Sequence, residues 1–517
     1  MAYLLGIDVG TSGTRALLIA PDGTVIGRST REYPLQTPRP GWAEQDPEDW
    51  WRATQEATQN LLRATGVSAG DVRAVGLSGQ MHGAVLLGAD DEVLRPAILW
   101  CDQRTAAQCE WITQTVGKDR VVELTMNPVL TGFQAPKIIW VRDHEPQIYE
   151  KIRRVLLPKD FVRLRLTGEY ATEVSDASGT SLFNVRERKW AEPILSALQI
   201  PREWLPSAYE SYEVTGQITD AAAARTGLRA GTPVVGGGGD QAAGAVGNGI
   251  VRSGAVSSTV GTSGVVFAFS DEPLLDPGLR VHTFCHAVPR KWHVMGVMLS
   301  AGGSLRWLRD TIAQPERVVA TAMGKDPYDL MSQEAGQAPA GSEGLIFLPY
   351  LTGERTPYAD PDARGVFFGL GLRHERSHLI RAVMEGVAYG LRDSFEIFRE
   401  MGVPTEEVRA SGGGARSRLW RQIQADVTGC AHSTINVDEG PALGVALLAG
   451  VGSGVYASVE QACDEVIHVT TTTEPDPERI PLYEGYYTVY RELYPALRRA
   501  FQLDAQAVHD AHAEAES

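Results

Sequence analysis

The chain has 517 residues, room for two or three domains with ample core, and its 43% apolar and 22% charged composition is that of a soluble globular enzyme rather than a disordered protein. A formal net charge of −16 repels nucleic acid and anionic membranes, and no dense Lys/Arg block offers a local exception. The apolar N-terminus lacks a basic leader and is interrupted by Asp8, no run of eighteen apolar residues occurs, and the five cysteines have no Cys-x-x-Cys spacing; these features predict a cytoplasmic protein with reduced thiols and no membrane segment.

Taken in chain order, Tyr3 to about Tyr33 reads as an antiparallel meander: a strand over Leu4–Val9, the turn Gly10-Thr11-Ser12-Gly13, a strand over Ala16–Ala20, the turn Pro21-Asp22-Gly23 and a third strand. Asp46 as N-cap with Pro47 behind it opens a helix running toward Leu62. Strands follow at Val72–Leu77 and Ala84–Leu87, separated by Ser78-Gly79-Gln80-Met81-His82-Gly83. Gly236–Gly239, then Asp240 and a small-residue run to Gly249, close the first half. The tetrapeptide Gly-Thr-Ser-Gly recurs at Gly261–Gly264 between strands at Ala255–Val260 and Val265–Phe269. Beyond it come a helix from about Ser304, a loop-rich stretch from Leu345 to Gly369, a long helix over Leu379–Phe398, a strand near Val408, the glycine run Gly412–Gly414 before another helix, and a last core helix from Gly440. From about Ala505 the sequence is polar and reads as a frayed tail. Mixed strands and helices predict an α/β fold with mixed sheets.

Two glycines flanking two hydroxyl residues make a tight hairpin whose amides and hydroxyls wrap an oxyanion. One copy is weak evidence. Two copies half a chain apart predict a duplicated domain with phosphate held between the halves. Asp8, just before the first turn, would repel that phosphate unless a cation stood between them, which points to Mg²⁺; an isolated strand-end Asp would otherwise read as an Asx turn. Asp240 suits two roles equally on residues alone, a base accepting the proton of an attacking hydroxyl or the N-cap of the helix behind it. Met81 and His82 offer a thioether for one face of a sugar and an imidazole donor for one hydroxyl, although a histidine in such a loop more often finds its partner within the protein. Trp42, Trp100 and Tyr350 are stacking candidates, although buried aromatics usually serve the core. His282, Cys285, His286 and His293 have a ligand-like spacing, but on a strand Cys285 and His286 point to opposite faces, which argues against zinc.

Together these segments resemble the FGGY carbohydrate kinases of the actin, hexokinase and heat-shock-ATPase superfold, over Tyr3 to roughly Leu493. The most specific pieces are Gly76–Gly83, Leu94–Trp100, Leu156–Asp160, Gly237–Ala243 and Phe347–Pro357. The resemblance implies two actin-like (ribonuclease H-like) domains with a cleft between them: 1–250 for sugar and the first phosphate hairpin, 251–485 for nucleotide, and 486–517 as a helix and frayed tail. It further implies ATP and Mg²⁺ as cofactors, Asp240 as proton acceptor, and Asp8 as the carboxylate tied to the metal and to activity. Met81, His82 and Gln241 fall at sugar positions, with Asn in place of Gln241 in some relatives. Thr11, Ser12, Gly261 and Thr262 fall on the phosphate hairpins, and Gly302, Gly413, Gly414 and Ala415 on the nucleotide segments. The Gln80-Met81-His82-Gly83 segment points to the branch that phosphorylates D-xylulose. Ribulose, gluconate, fuculose or glycerol kinases are the rivals within the family, a chaperone-like or filament ATPase the rival outside it, and a homodimer is allowed by family habit.

Overall fold

A computed structural model describes residues 2–437 and 439–516. Two seven-stranded sheets organise it, each built on one of the Gly-Thr-Ser-Gly hairpins. In the first, β1 (Tyr3–Val9), β2 (Gly13–Ile19) and β3 (Val25–Glu32) form the meander, and β4 (Val72–Gly79), β5 (Val214–Gln217) and β6 (Pro233–Val235) complete the order β5-β6-β4-β1-β2-β3, with Gly238–Gly239 pairing on β4. In the second, β7 (Gly254–Val260), β8 (Gly264–Ser270), β9 (His282–Cys285), β10 (Trp292–Met298), β11 (Thr405–Ser411), β12 (His432–Ile435) and β13 (Val469–Thr473) run β9-β10-β8-β7-β11-β12-β13. The hairpins β1–β2 and β7–β8 are antiparallel, whereas β4 and β11 add in parallel beside β1 and β7. The expected mixed α/β architecture is therefore present twice, in the same strand arrangement.

Period-two alternation decides what each face of the first sheet buries. Leu5, Ile7, Val9, Leu18, Val75 and Leu77 pack with Trp50, Ala57 and Leu61 of the helix Pro47–Thr65, while Leu4, Leu17, Ile19 and Ala74 face the opposite way. That opposite face is covered by the helix Gly440–Gly452, which comes late in the chain yet packs on the first sheet, together with the helix Asp240–Gly247. Phe267, Phe269 and Met295 of the second sheet join the same cluster, so one apolar seam links the two lobes. The other face of the second sheet packs on the helix Arg376–Glu400.

Elements mostly match their expected positions, with three informative differences. The strand expected over Val72–Leu77 continues to Gly79, which carries Ser78 and Gly79 into the ladder beside Asp8 and Val9. The loop-rich segment from Leu345 to Gly369 contains a small antiparallel pair, Ile346–Leu348 with Val366–Phe368. The tail expected to fray from Ala505 is one helix, Ile480–Glu516, anchored in the second core by Tyr483, Tyr487, Tyr490 and Tyr494. Among the described residues no helix is long and apolar enough to cross a membrane.

Candidate active site

Asp8 lies one residue from the end of β1, in register with Ser78 of β4, and Ser78 in turn pairs with Gly238. The three strand ends therefore bring Asp8 beside the ribbon that leads into Asp240. Asp240 is the first residue of its helix, with Gly239 as the N-cap, so the capping alternative does not describe it. Burial pushes Asp8 up to about 6, against the pull of the Ser78 hydroxyl and Arg15, and pushes Asp240 up to about 7, helped by the negative charge of Asp8. One carboxylate oxygen of Asp8 is buried without a hydrogen-bond partner. A hard oxygen donor left unsatisfied beside a second carboxylate fits Mg²⁺, which takes one or two carboxylates and keeps water on its other positions.

A buried ion cluster holds the ribbon in place. Lys159 sits 2.9 Å from Asp160, 3.1 Å from Asp176 and 3.5 Å from Glu173. Arg163 donates to the Val235 carbonyl at 2.7 Å and to that of Gly236, and the Ser175 hydroxyl, itself bonded to Glu173, accepts from Gly239 N at 3.1 Å. Gly237 is held at φ 72°, where a Cβ would lie 1.8 Å from the Leu77 carbonyl oxygen. The position of Asp240 thus rests on charges remote in sequence. Of these, sequence reasoning singled out only Lys159 and Asp160, as part of a motif without a role.

Two cavities flank the second hairpin. The smaller, of about 160 Å³, is lined on the first lobe by Thr11, Met81, His82, Trp100, Asp240 and Gln241, and on the second by Ser263, Val265, Met295, Val297 and Arg355. It holds roughly five waters at ~30 Å³ each, the scale of a single small sugar. The larger, of about 450 Å³, is lined by Gly261, Thr262, Gly302, Arg306, Gly413, Gly414 and Arg416, with Tyr328 and Trp420 as its aromatic members. Thr262 and Ser263 are adjacent residues facing different cavities, so the hairpin is the wall between them.

Most of the expected residues gather in one cavity or the other. Asp8, Ser12 and Ala415 line neither: Asp8 is half-buried near the end of its strand, Ser12 is exposed on its turn, and Ala415 is buried in a short turn with its amide bonded to Gly412 O at 3.2 Å. Thr11 faces the smaller cavity, its hydroxyl accepting from Trp100 Nε1 at 3.0 Å, and its carbonyl is fixed by Gln45 Nε2 at 2.7 Å. Of the three stacking candidates only Trp100 lines either of these two cavities. Trp42 lies under the Arg104 guanidinium at 3.6 Å, and Tyr350 is buried with its hydroxyl 3.1 Å from that of Tyr490.

His82 differs from the expected donor. Its Nδ1 lies 2.8 Å from the Gly179 carbonyl, and burial with the nearby Lys137 charge holds the ring far below the usual histidine range. The neutral ring therefore donates Nδ1–H to Gly179 and leaves Nε2 as an acceptor. Its backbone sits at φ 70°, a strained conformation for histidine, with its carbonyl bonded to Lys137 Nζ at 2.8 Å. Of the ligand-spaced residues, His282 and Cys285 engage Asn127 Oδ1 at 2.9 Å and the Val185 carbonyl at 3.4 Å, while His286, bonded to Val288 N at 2.9 Å, has its ring 5.7 Å from that of His293; among the described residues no three His, Cys, Asp or Glu side chains come together as a metal site.

The profile of the N-terminal domain of the FGGY family of carbohydrate kinases matches residues 3–247, and that of the C-terminal domain matches 256–453. The chain belongs to the FGGY family of carbohydrate kinases. It is a sugar kinase with the two-domain fold of that family. Among its relatives, the xylulose kinase of Escherichia coli (strain K12) is 42% identical over 95% of this chain and 99% of its own. The gluconokinase of Bacillus subtilis (strain 168) is 32% identical over 90% of each chain. The crystal structure of xylulose kinase from Rhodospirillum rubrum superposes with a TM-score of 0.89 at 31% identity, covering 97% of this chain and 100% of that one. FGGY membership places the two cavities in a family whose members join a sugar to a phosphate donor.

Proposed function

We propose that this FGGY kinase transfers the γ-phosphoryl group of ATP to the terminal hydroxyl of D-xylulose, giving D-xylulose 5-phosphate. The observation that carries the reading is the wall between the cavities: a hairpin with Thr262 toward the larger space and Ser263 toward the smaller one, where Asp240 lies. Full-length similarity to xylulose kinases supports D-xylulose as the acceptor, above gluconate.

Asp240 takes the hydroxyl proton as the oxygen attacks phosphorus; the new O–P bond forms while the bond to the β-phosphate oxygen breaks, and ADP leaves with that electron pair. A carboxylate raised to about 7 is a stronger base than an ordinary aspartate yet is largely ionised just above neutrality. His82 Nε2 accepts from a substrate hydroxyl, Met81 packs against a carbon face, and Gln241 lies beside the attacking end. Gly261, Thr262 and Gly302, with the Gly413–Gly414 turn, hold the nucleotide, and Arg306 and Arg416 offset its charge. Asp8 would hold Mg²⁺, which when bound offsets charge on the phosphates. The five unpaired cysteines support a reducing compartment, the cytoplasm.

Coupled-assay turnover with D-xylulose, ribulose, gluconate, fuculose and glycerol tests the reading. D-xylulose is expected to give the highest kcat/KM, and preference for another acceptor would reassign the substrate. Asp8→Asn is expected to raise the Mg²⁺ concentration at half-maximal rate by about tenfold or more, the scale of one lost charge-assisted contact. An unchanged Mg²⁺ titration would remove Asp8 from metal binding.

A further inference from the structure

The second-lobe wall of the smaller cavity is apolar, Val265, Met295 and Val297, apart from Ser263 and one cation, Arg355. Among the described residues no carboxylate lies within ion-pair distance of its guanidinium. The adjacent Glu354 does not serve: one oxygen accepts from Leu299 N at 2.9 Å and Arg355 N at 2.7 Å, the other is buried without a partner, and burial raises the group to about 8, so it is mostly protonated at neutral pH. Thr356 fixes the backbone behind it, its amide donating to the Val297 carbonyl at 3.0 Å and its hydroxyl accepting from Val297 N at 3.1 Å. A guanidinium is thus held against a small cavity with its donors unspent on any of the described residues.

Its position along the cavity follows from its neighbours. The Thr356 hydroxyl donates to the Arg280 carbonyl at 2.8 Å, just ahead of His282, and the Phe133 ring lies 5.8 Å from that of His282 and 4.8 Å from that of His82. Arg355 therefore lies on the His82 side of the cavity. The chemistry of the acceptor, on the function proposed above, says what waits there. In a 2-ketopentose the hydroxyl at C5 is the one that closes the furanose ring onto C2. A molecule presenting a free C5 hydroxyl to Asp240 is open-chain, with a free C2 carbonyl three carbons along.

We propose that Arg355 is the second-lobe contact to the substrate, donating its guanidinium N–H groups to the C2 carbonyl oxygen of the open-chain ketose. Sugar then touches both lobes, through Asp240 and His82 on one side and Arg355 on the other. The arginine selects the ketose over the corresponding pentitols, which carry a tetrahedral hydroxyl at C2.

The test compares wild type, Arg355→Met and Arg355→Lys in kcat and KM for D-xylulose, KM for ATP, and Ki of xylitol and D-arabinitol as competitive inhibitors. Arg355→Met is expected to lower kcat/KM for D-xylulose about 10–100-fold, the scale of a lost charge-assisted hydrogen bond. The loss should fall mainly in KM, with the ATP KM and the pentitol Ki values changing less than about threefold. Arg355→Lys should recover part of the loss, because an ammonium donates without the fork. Circular dichroism and thermal unfolding confirm that the variants are folded. A folded Arg355→Met with wild-type KM for D-xylulose, or with equal losses for ketose and pentitols, overturns the assignment. Wild type inactive on D-xylulose but active on another acceptor overturns the substrate reading as well, whereas wild type active on D-xylulose with an unaffected Arg355→Met overturns the arginine alone.

Discussion

Asp240→Asn is expected to lower turnover of D-xylulose by roughly 10²–10⁴-fold, the usual contribution of a general base, while leaving the unliganded protein more stable at pH 8. The two effects have one cause. Asp240 is raised from the ordinary aspartate value of 3.8 to about 7 by burial and by the charge of Asp8. The folded state therefore binds a proton that the unfolded chain has released, and the stability this contributes is complete below about 4 and lost as pH rises through about 7. Above that pH the native state carries an ionised carboxylate facing another carboxylate in a poorly solvated cleft. Asn keeps the shape and removes the charge, so the gain should be about 2–4 kcal/mol at pH 8, taking 1.36 kcal/mol per unit as the upper limit, and should shrink steadily toward pH 4. Initial rates with saturating ATP and thermal unfolding at pH 5 and pH 8 measure both. A variant that loses activity and melts earlier at pH 8 would mean that Asp240 holds the cleft together, and a variant with wild-type turnover would mean that it is not the base.

The same geometry explains why sequence left Asp240 evenly balanced. An aspartate before Gln241-Ala242-Ala243 looks like a cap, because capping is a local signal and most aspartates at helix starts obey it. Only the pairing of Gly238–Gly239 with Ser78–Gly79 shows that the ribbon arrives as a strand beside Asp8, with Gly239 taking the cap position. The hairpins were legible because they are local: four residues between two apolar runs specify a turn wherever they occur. Arg355 was not, since an arginine flanked by Glu354 in a loop-rich segment reads as a solvated charge pair. Here Glu354 turns to backbone amides and leaves the arginine to the cavity. The Lys159, Glu173 and Asp176 cluster was silent for a related reason. Charged residues are expected outside, and what keeps these inside is mutual pairing that has no sequence period. His82 was found, but with its hydrogen-bonding sense reversed, because the partner of Nδ1, the Gly179 carbonyl, lies 97 residues away.

The helix Gly440–Gly452 was legible as a core helix, although its place on the other half's sheet was not, and that place carries the second large effect. At Gly444 a Cβ would lie 1.8 Å from the Ala243 carbonyl oxygen and 2.9 Å from Gly247 N, so this helix and Asp240–Gly247 cross with backbone against backbone. Gly444→Val cannot be absorbed by a rotamer change, because the obstacle is peptide rather than side chain. The helices must separate, opening the apolar seam that joins the two sheets and moving the helix whose first residue is Asp240. Overpacking of this kind costs about 1–3 kcal/mol and at times more; at roughly 2–4 °C per kcal/mol a fall in Tm of about 5–10 °C is expected. Turnover should fall with it, by more than a remote destabilisation produces, because a displacement of about 1 Å at a reacting group costs on the order of 10²-fold. Gly485→Ala is the internal control: it lies in the helix Ile480–Glu516 with no atom within 4 Å of the added carbon, and a helix-interior Gly→Ala change there should stabilise by up to about 1 kcal/mol without touching activity. Differential scanning calorimetry and initial rates on the pair decide the matter. If Gly444→Val melts with wild type and turns over normally, the two helices have room to spare, and the seam does not fix Asp240 against the hairpins.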